Sequence, residues 1–129
     1  MKNKILIIED NEQNMYLVKY ILESHGYVVM EADNGLEGIA KAISESPDLI
    51  LLDIQLPGMD GYEVARALRK DPSLKLVPIV AVTSYAMPGD RENVLAAGCT
   101  GYIEKPIDPD KFIDEVQSYF QKPLAEGKA

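Results

Sequence analysis

The sequence predicts one α/β domain of the doubly wound (βα)5 type, with a five-stranded parallel sheet and helices on both of its faces. Two observations predict it. Short apolar runs alternate with longer amphipathic segments, and three of the runs are continuously apolar, as expected of parallel strands covered on both faces. A chain of 129 residues also has the size of one domain rather than two.

The apolar runs are predicted to be the strands because each is short, rich in aliphatic residues and bounded by turn or helix signals. They lie at 5–8, 27–30, 49–52, 79–82 and 101–103, the last being the weakest. The segments between them are long enough for the helical crossovers that parallel strands require.

Helix signals fill the intervals between these strands. Residues 12–25 place apolar side chains on one broad face, and Gly26 then favours the left-handed conformation that ends a helix. Two pairs have the spacing of a helix N-cap and its third helical residue. They are Asn34 with Glu37 and Asp60 with Glu63.

The last third of the chain carries two further helix signals. Pro88 is predicted to begin a helix that Gly98 ends, and Asp108 followed by Pro109 is typical of a cap and first turn. The domain is therefore expected to span 1–122. Residues 123–129 are predicted to form a flexible C-terminal tail.

Charge and cysteine content exclude several function classes. Thirteen Lys and Arg against 21 Asp and Glu give a net charge of −8, which argues against direct binding to nucleic acid or to an anionic membrane. One cysteine, Cys99, excludes an internal disulfide and favours a reducing cytoplasm. The apolar run after the N-terminus is too short for a signal peptide, and no stretch is long enough to span a membrane.

Polar residues follow four of the five predicted strands. These residues are Glu9 and Asp10, Asp53, Thr83 and Ser84, and Glu104 and Lys105. Because the carboxyl ends of parallel strands lie along one edge of a sheet, we expect these side chains to meet in one pocket. Taken singly, each is more often a helix cap, a turn residue or a solvated charge, but their shared position favours a common site.

Such a pocket suits phosphoryl transfer. Crowded carboxylates repel one another unless a cation lies among them, and a Mg²⁺ ion with oxygen ligands removes the conflict. Lys105 adds a fixed positive charge, and one carboxylate is then free to act as the nucleophile that forms an acyl phosphate. Asp53 is the best candidate because it stands alone after the central strand, before the Pro57-Gly58 turn.

These residues resemble the receiver domain of bacterial two-component response regulators, over about residues 4–122. The motifs that carry the resemblance are Glu9-Asp10, Leu52-Asp53, Pro57-Gly58-Met59-Asp60-Gly61, Val82-Thr83-Ser84 and Lys105-Pro106. In detail the chain is most similar to stand-alone receivers of the cell-division regulator type. The resemblance implies a flavodoxin-like sheet with strand order 2-1-3-4-5.

The resemblance also implies a role for each site residue. Asp53 would carry the phosphoryl group. Asp10 and Asp53 would ligate Mg²⁺ directly, Gln55 through its main-chain carbonyl, and Glu9 mainly through a water molecule. Glu9 is a departure, because many members of the family have an aspartate there.

The remaining implied roles concern switching. Lys105 would pair with Asp53 and then with the phosphoryl group, and a cis bond would join it to Pro106. Thr83 would be the switch hydroxyl and Tyr102 the aromatic partner that rotates behind it. The output would appear on residues 88–122.

The function expected from this resemblance is a single-domain response regulator of a two-component phosphorelay. It would take the phosphoryl group from a histidine kinase or a histidine phosphotransfer protein, pass the signal to a target protein, and catalyse only its own phosphorylation and dephosphorylation. Whether phosphorylation also drives dimerisation stays open. Two alternatives are an adaptor that works without phosphorylation and an aspartyl-phosphate phosphatase, against which Gln55 argues because such enzymes place a second aspartate there.

Other residues that attract attention have simpler interpretations. His25 suits the C-terminal end of a helix, and Cys99 is expected to be a small packing residue. Tyr16, Tyr20 and Tyr119 lie at helical positions and are expected to cover apolar surface.

Overall fold

The computed structural model describes residues 3–84 and 90–121, and it confirms the doubly wound (βα)5 fold. All neighbouring strands pair in parallel, in the order β2-β1-β3-β4-β5. The strands are β1 (Lys4–Ile8), β2 (Val28–Ala32), β3 (Leu49–Asp53), β4 (Ile79–Thr83) and β5 (Gly101–Glu104).

Five helices form the crossovers between these strands. They are α1 (Glu12–Ser24), α2 (Gly35–Glu45), α3 (Gly61–Lys70), α4 (Asp90–Ala96) and α5 (Pro109–Gln121). A short 3₁₀ turn (Pro72–Leu74) follows α3. The predicted helix start at Pro88 and the predicted tail at 123–129 lie outside the described residues.

The sheet has a hydrophobic core on each face because side chains alternate along every strand. In β3 every residue is buried, with Leu52 in the core that lies under α2, α3 and α4, and Leu51 in the core under α1 and α5. The β4 strand is buried at every position as well. The continuous apolar runs therefore reflect strands covered on both sides.

β2 departs most from its predicted position, whereas each of the other four strands is one residue longer than predicted. The apolar run at 27–30 suggested a strand beginning at Tyr27, but β2 begins at Val28 and continues through Glu31 to Ala32. β2 is an edge strand whose residues are mostly exposed or half-buried. A polar residue such as Glu31 therefore lies within the strand and does not mark where it ends.

The predicted caps fix the starts of α2 and α3. The Asn34 side chain accepts a hydrogen bond from the backbone of Glu37, and Asp60 forms a complete capping box with Glu63. Gly26 has a φ of +90° after the end of α1, the left-handed conformation that an L side chain rarely adopts.

Two residues outside the strand ends have the structural roles expected of them. His25 is the C-cap of α1, and its Nδ1 lies 2.9 Å from the carbonyl oxygen of Ile21. Cys99 is buried in the core, and burial raises the pKa of its thiol to about 11. A thiol that stays protonated is a poor nucleophile, which supports a packing role. No helix within the described ranges has the length and apolarity needed to cross a bilayer.

Candidate functional site: an acidic pocket at the carboxyl edge of the sheet

Three carboxylates meet where β1 and β3 end. One oxygen from each of Glu9, Asp10 and Asp53 lies within 4.8 Å of the others. Glu9 and Asp53 are buried, being only 5% and 4% exposed, whereas Asp10 faces solvent. Residues far apart in the sequence are therefore brought together by the parallel pairing of β1 with β3.

Lys105 supplies the positive charge of this cluster. Its Nζ lies 3.5 Å from Asp53 Oδ2 and 3.4 Å from Glu9 Oε1, so one ammonium is shared between two buried carboxylates. Lys105 follows β5, and its backbone N–H donates to the carbonyl oxygen of Thr83 at the end of β4. The predicted cis bond to Pro106 is present.

Within the described part of the chain, negative charge exceeds positive charge in this pocket, which has three carboxylates and one ammonium group. Burial, together with the hydrogen bond and the negative charge of Asp53, raises the pKa of Glu9 to about 7, while Lys105 and the backbone N–H of Asn11 act in the opposite direction. A carboxyl group normally resists burial next to another carboxyl group. The pocket therefore holds more negative charge than Lys105 alone neutralises.

A hard divalent cation fits this donor set. The three carboxylates offer oxygen ligands within a few ångströms of one another, which is the chemistry that Mg²⁺ prefers. A second positive charge would also relieve the repulsion between Glu9 and Asp53. The three carboxylates predicted from the sequence to bind the metal thus lie together. Gln55, the fourth predicted ligand, contacts this cluster through its backbone N–H, which donates to Asp53.

Local structure after β3 holds Asp53 in place. The backbone N–H of Gln55 donates to Asp53 Oδ1 at 2.9 Å, which leaves Oδ2 toward Lys105. The backbone N–H of Gly61, the first residue of α3, donates to the carbonyl oxygen of Ile54 at 3.0 Å. A Cβ at Gly61 would overlap the Cα of Ile54 and lie 2.8 Å from the carbonyl oxygen of Asp53.

Gly61→Ala is therefore expected to push α3 away from the backbone of Asp53 and to impair the site as well as the fold. We expect a loss of about 1–3 kcal/mol of stability, since the clash is with backbone atoms and is relieved only by moving α3. We also expect the folded fraction to show a marked loss of the phosphoryl uptake that the resemblance implies. The measurement is urea unfolding together with phosphoryl uptake.

Gly26→Ala is the matched control for this prediction. This substitution also costs stability, because an alanine rarely adopts the φ of +90° found at Gly26, but a Cβ there would have nothing within 4 Å, and Gly26 lies at the other end of α1 from the site. It should lose stability and keep phosphoryl uptake. Equal uptake by the two variants would show that Gly61 does not position Asp53.

The predicted switch residues lie on β4 and β5, the strands next to β3 on the side of Lys105. Thr83 ends β4 and is 4% exposed, and Tyr102 is half-buried on β5, packed against the core. Register places Thr83 opposite Glu104, two residues beyond Tyr102. Tyr102 and Lys105 also line a cleft of about 620 Å³ with residues of α4 and α5.

Sequence reasoning missed two contacts in the pocket. The Ser84 hydroxyl donates to Gln55 Oε1 at 2.8 Å, which ties the residue after β4 to the loop after β3. The pairing of Lys105 with Glu9 was also missed. Neither contact has a signal in a single sequence, because both depend on side-chain conformations of residues that follow different strands.

Comparison with protein families agrees with this geometry. The model of the response regulator receiver domain matches residues 5–117 of the chain. The chain is 44% identical over 119 residues to the polar-differentiation response regulator DivK of Brucella anthropi, covering 92% of this chain and 97% of that protein. DivK of Brucella ovis has the same identity and coverage.

Solved structures are similar over nearly the whole chain. The chemotaxis protein CheY4 of Vibrio cholerae superposes with a TM-score of 0.89 and 30% identity, covering 92% of this chain and 99% of that one. The receiver domain of sensor histidine kinase PA1611 from Pseudomonas aeruginosa superposes with a TM-score of 0.87 and 34% identity, covering 95% and 100%. That structure has a magnesium ion coordinated in its active-site cleft.

Proposed function

Because this chain belongs to the response regulator receiver family, we propose that it is a phosphorylation switch of a two-component system that accepts a phosphoryl group on Asp53. The observation that carries the proposal is the meeting of Glu9, Asp10 and Asp53 beside Lys105, from three separate strand ends. The relatives named DivK are matched over almost their full length, which supports a regulator that acts as a single receiver domain, spanning residues 1–122.

Asp53 is the nucleophile in this proposal. Its Oδ1 is held by the Gln55 N–H, so Oδ2 is the oxygen available to attack. The new bond joins Oδ2 to phosphorus, the bond from phosphorus to the donor imidazole breaks, and the departing imidazole takes up a proton. Hydrolysis of the aspartyl phosphate later restores the carboxylate, so the protein catalyses only its own phosphorylation and dephosphorylation.

We propose Mg²⁺ as the cofactor, held directly by Asp10 and Asp53, by the main-chain carbonyl of Gln55, and by Glu9 through a water molecule. When bound, the ion neutralises charge on the carboxylates and on the oxygens of the transferred group. Lys105 contributes the second positive charge, and its position between Glu9 and Asp53 keeps it within reach of a group attached to Oδ2.

The switch is proposed to act through Thr83 and Tyr102 on the surface formed by residues 88–122. Moving a two-state equilibrium from mostly off to mostly on needs a difference of roughly 5 kcal/mol. Two or three charge-assisted hydrogen bonds from Thr83 and Lys105 to the phosphoryl oxygens supply this at about 1.5–3 kcal/mol each.

The partners follow from the chemistry. The phosphoryl donor is a histidine kinase or a histidine phosphotransfer protein, and the output is a contact with a target protein in the cytoplasm. An accompanying dimerisation would appear as a larger species in size-exclusion chromatography of the phosphorylated protein.

The test of this function is phosphoryl uptake from acetyl phosphate, followed by intact mass. We expect one phosphoryl group per chain with Mg²⁺, little or none with EDTA, and none in Asp53→Asn. Unchanged mass in a well-folded wild-type protein would contradict the proposal and favour an adaptor that works without phosphorylation.

Thr83→Ala should keep phosphoryl uptake and lose the phosphorylation-dependent change in partner binding.

A further inference from the structure

The outer surface of α1 carries two exposed aromatic side chains. Tyr16 and Tyr20 are 73% and 63% exposed, and their rings stack with centroids 6.5 Å apart and an interplanar angle of 20°. The expectation that these tyrosines cover apolar surface was therefore wrong for both, whereas Tyr119 is half-buried as expected. A preordered pair of amphipathic rings is the kind of surface that protein interfaces use as an anchor.

These tyrosines border a cleft between α1 and α2, which we call the α1–α2 cleft. It has a volume of about 350 Å³ and passes over the end of the edge strand β2. Tyr16 and Lys19 line this cleft and also a smaller depression of about 220 Å³ that includes Tyr20 and Glu23. The aromatic pair and the cleft are thus one continuous surface.

The charge of the cleft is strongly one-sided. Among the described residues, six carboxylates and one ammonium line it, and the ammonium of Lys19 is already paired with Glu31 at 2.6 Å. The carboxylates outside the phosphorylation pocket are those of Glu12, Glu31, Asp33 and Glu37. A partner that enters this cleft therefore gains by carrying positive charge.

We propose that the α1–α2 cleft docks a basic amphipathic segment of a partner protein. Its Lys or Arg side chains enter the acidic cleft, and its apolar side chains pack on the rings of Tyr16 and Tyr20. Helix-in-groove recognition combines charge and apolar anchors in this way.

The cleft lies at the opposite edge of the sheet from α4 and β5. β2 forms one edge of the sheet and β5 the other, so a partner on α4 and β5 leaves the cleft open. The protein then has two separate docking surfaces and can link two partners, with the phosphorylation pocket between them. The docking itself does not require phosphorylation, so it is tested on the unphosphorylated protein.

The experiment uses the full chain and two designed helical peptides with leucine on one face, one carrying lysine on the opposite face and the other glutamate. Amide chemical shifts and fluorescence anisotropy of labelled peptide report where and how strongly each binds. We expect the lysine peptide to bind saturably and shift residues 12–20 and 31–37, and the glutamate peptide not to bind. Binding should weaken in 1 M salt, where the Debye length falls to about 3 Å.

Substitutions separate docking from nonspecific attraction to an acidic protein. Tyr16→Ala and Glu12→Lys should each weaken binding about tenfold, as loss of an interface anchor does. Leu76→Ala and Asp114→Lys, which change an exposed apolar and an exposed acidic side chain elsewhere, should leave binding unchanged. Absence of saturable binding, shifts confined to 90–121, unchanged binding by Tyr16→Ala, or equal weakening by Asp114→Lys would each overturn the proposal.

Discussion

Asp53→Asn is expected to stabilise the metal-free protein against unfolding while abolishing its phosphorylation. Asn keeps the shape of the side chain and accepts the hydrogen bond from Gln55, but it removes one of two buried carboxylates that share Lys105. Relief of the repulsion with Glu9 should raise the free energy of unfolding by about 1 kcal/mol, the equivalent of less than one pKa unit. Urea unfolding in EDTA measures it.

Mg²⁺ and a remote carboxylate provide the controls for this prediction. Mg²⁺ should stabilise the wild-type protein, by about 2.7 kcal/mol at a hundred times its dissociation constant, and should stabilise Asp53→Asn much less because a ligand is gone. Asp114→Asn, at an exposed position on α5, should change neither quantity. A destabilised Asp53→Asn protein in EDTA would mean that the pocket is not electrostatically strained.

Arg69→Met is expected to cause the largest loss of stability. The half-buried guanidinium donates to the carbonyl oxygens of Gly98, Leu74 and Val77 at 2.7–2.8 Å, and to the Thr100 hydroxyl at 3.3 Å. It thereby joins the end of α3 to the turn before β4 and to the connection between α4 and β5. Methionine fills similar space but leaves these acceptors unsatisfied, so we expect a loss of about 3 kcal/mol or more.

Arg66→Met is the matched control, because Arg66 is exposed on the same helix and should change stability by no more than about 0.5 kcal/mol. Urea unfolding of both variants measures the difference. The Arg69 contacts lie at the amino-terminal edge of the sheet, away from Asp53, so folded Arg69→Met protein should still take up phosphoryl groups. Equal stability of the two variants would show that Arg69 is not a structural link.

The site was largely predictable because its residues follow strands whose apolar runs are unmistakable. Because β3 and β4 are buried on both faces, each appears in the sequence as a continuous apolar run. Parallel pairing then requires that Asp53 and Thr83, which end these strands, lie at the same edge of the sheet. The helix caps at Asn34 and Asp60 were predictable as well, because each satisfies backbone groups of its own helix. The caps follow from hydrogen bonding within one helix, and the site follows from the shared edge at which parallel strands end.

Features that depend on distant contacts were not predictable. A lone arginine on an amphipathic helix indicates a solvated side chain, and nothing in the sequence reveals that Arg69 reaches carbonyl groups up to 29 residues away. Helical spacing places Tyr16 and Tyr20 on the side of α1 away from the buried Val18, but nothing in the sequence shows that their rings stack or that Tyr16 lines an acidic cleft. Such assignments depend on which elements become neighbours in space.

Chemical identification of the phosphorylated residue tests the central claim most directly. Acetyl phosphate and Mg²⁺ would load the wild-type protein, and sodium borohydride would then reduce any acyl phosphate to the corresponding alcohol for peptide mass spectrometry. The geometry of Asp53 beside Lys105 predicts homoserine at position 53 and unmodified Glu9 and Asp10. Reduction at Glu9 or Asp10 instead, or a phosphoryl group found on a hydroxyl such as that of Ser84, would contradict the account.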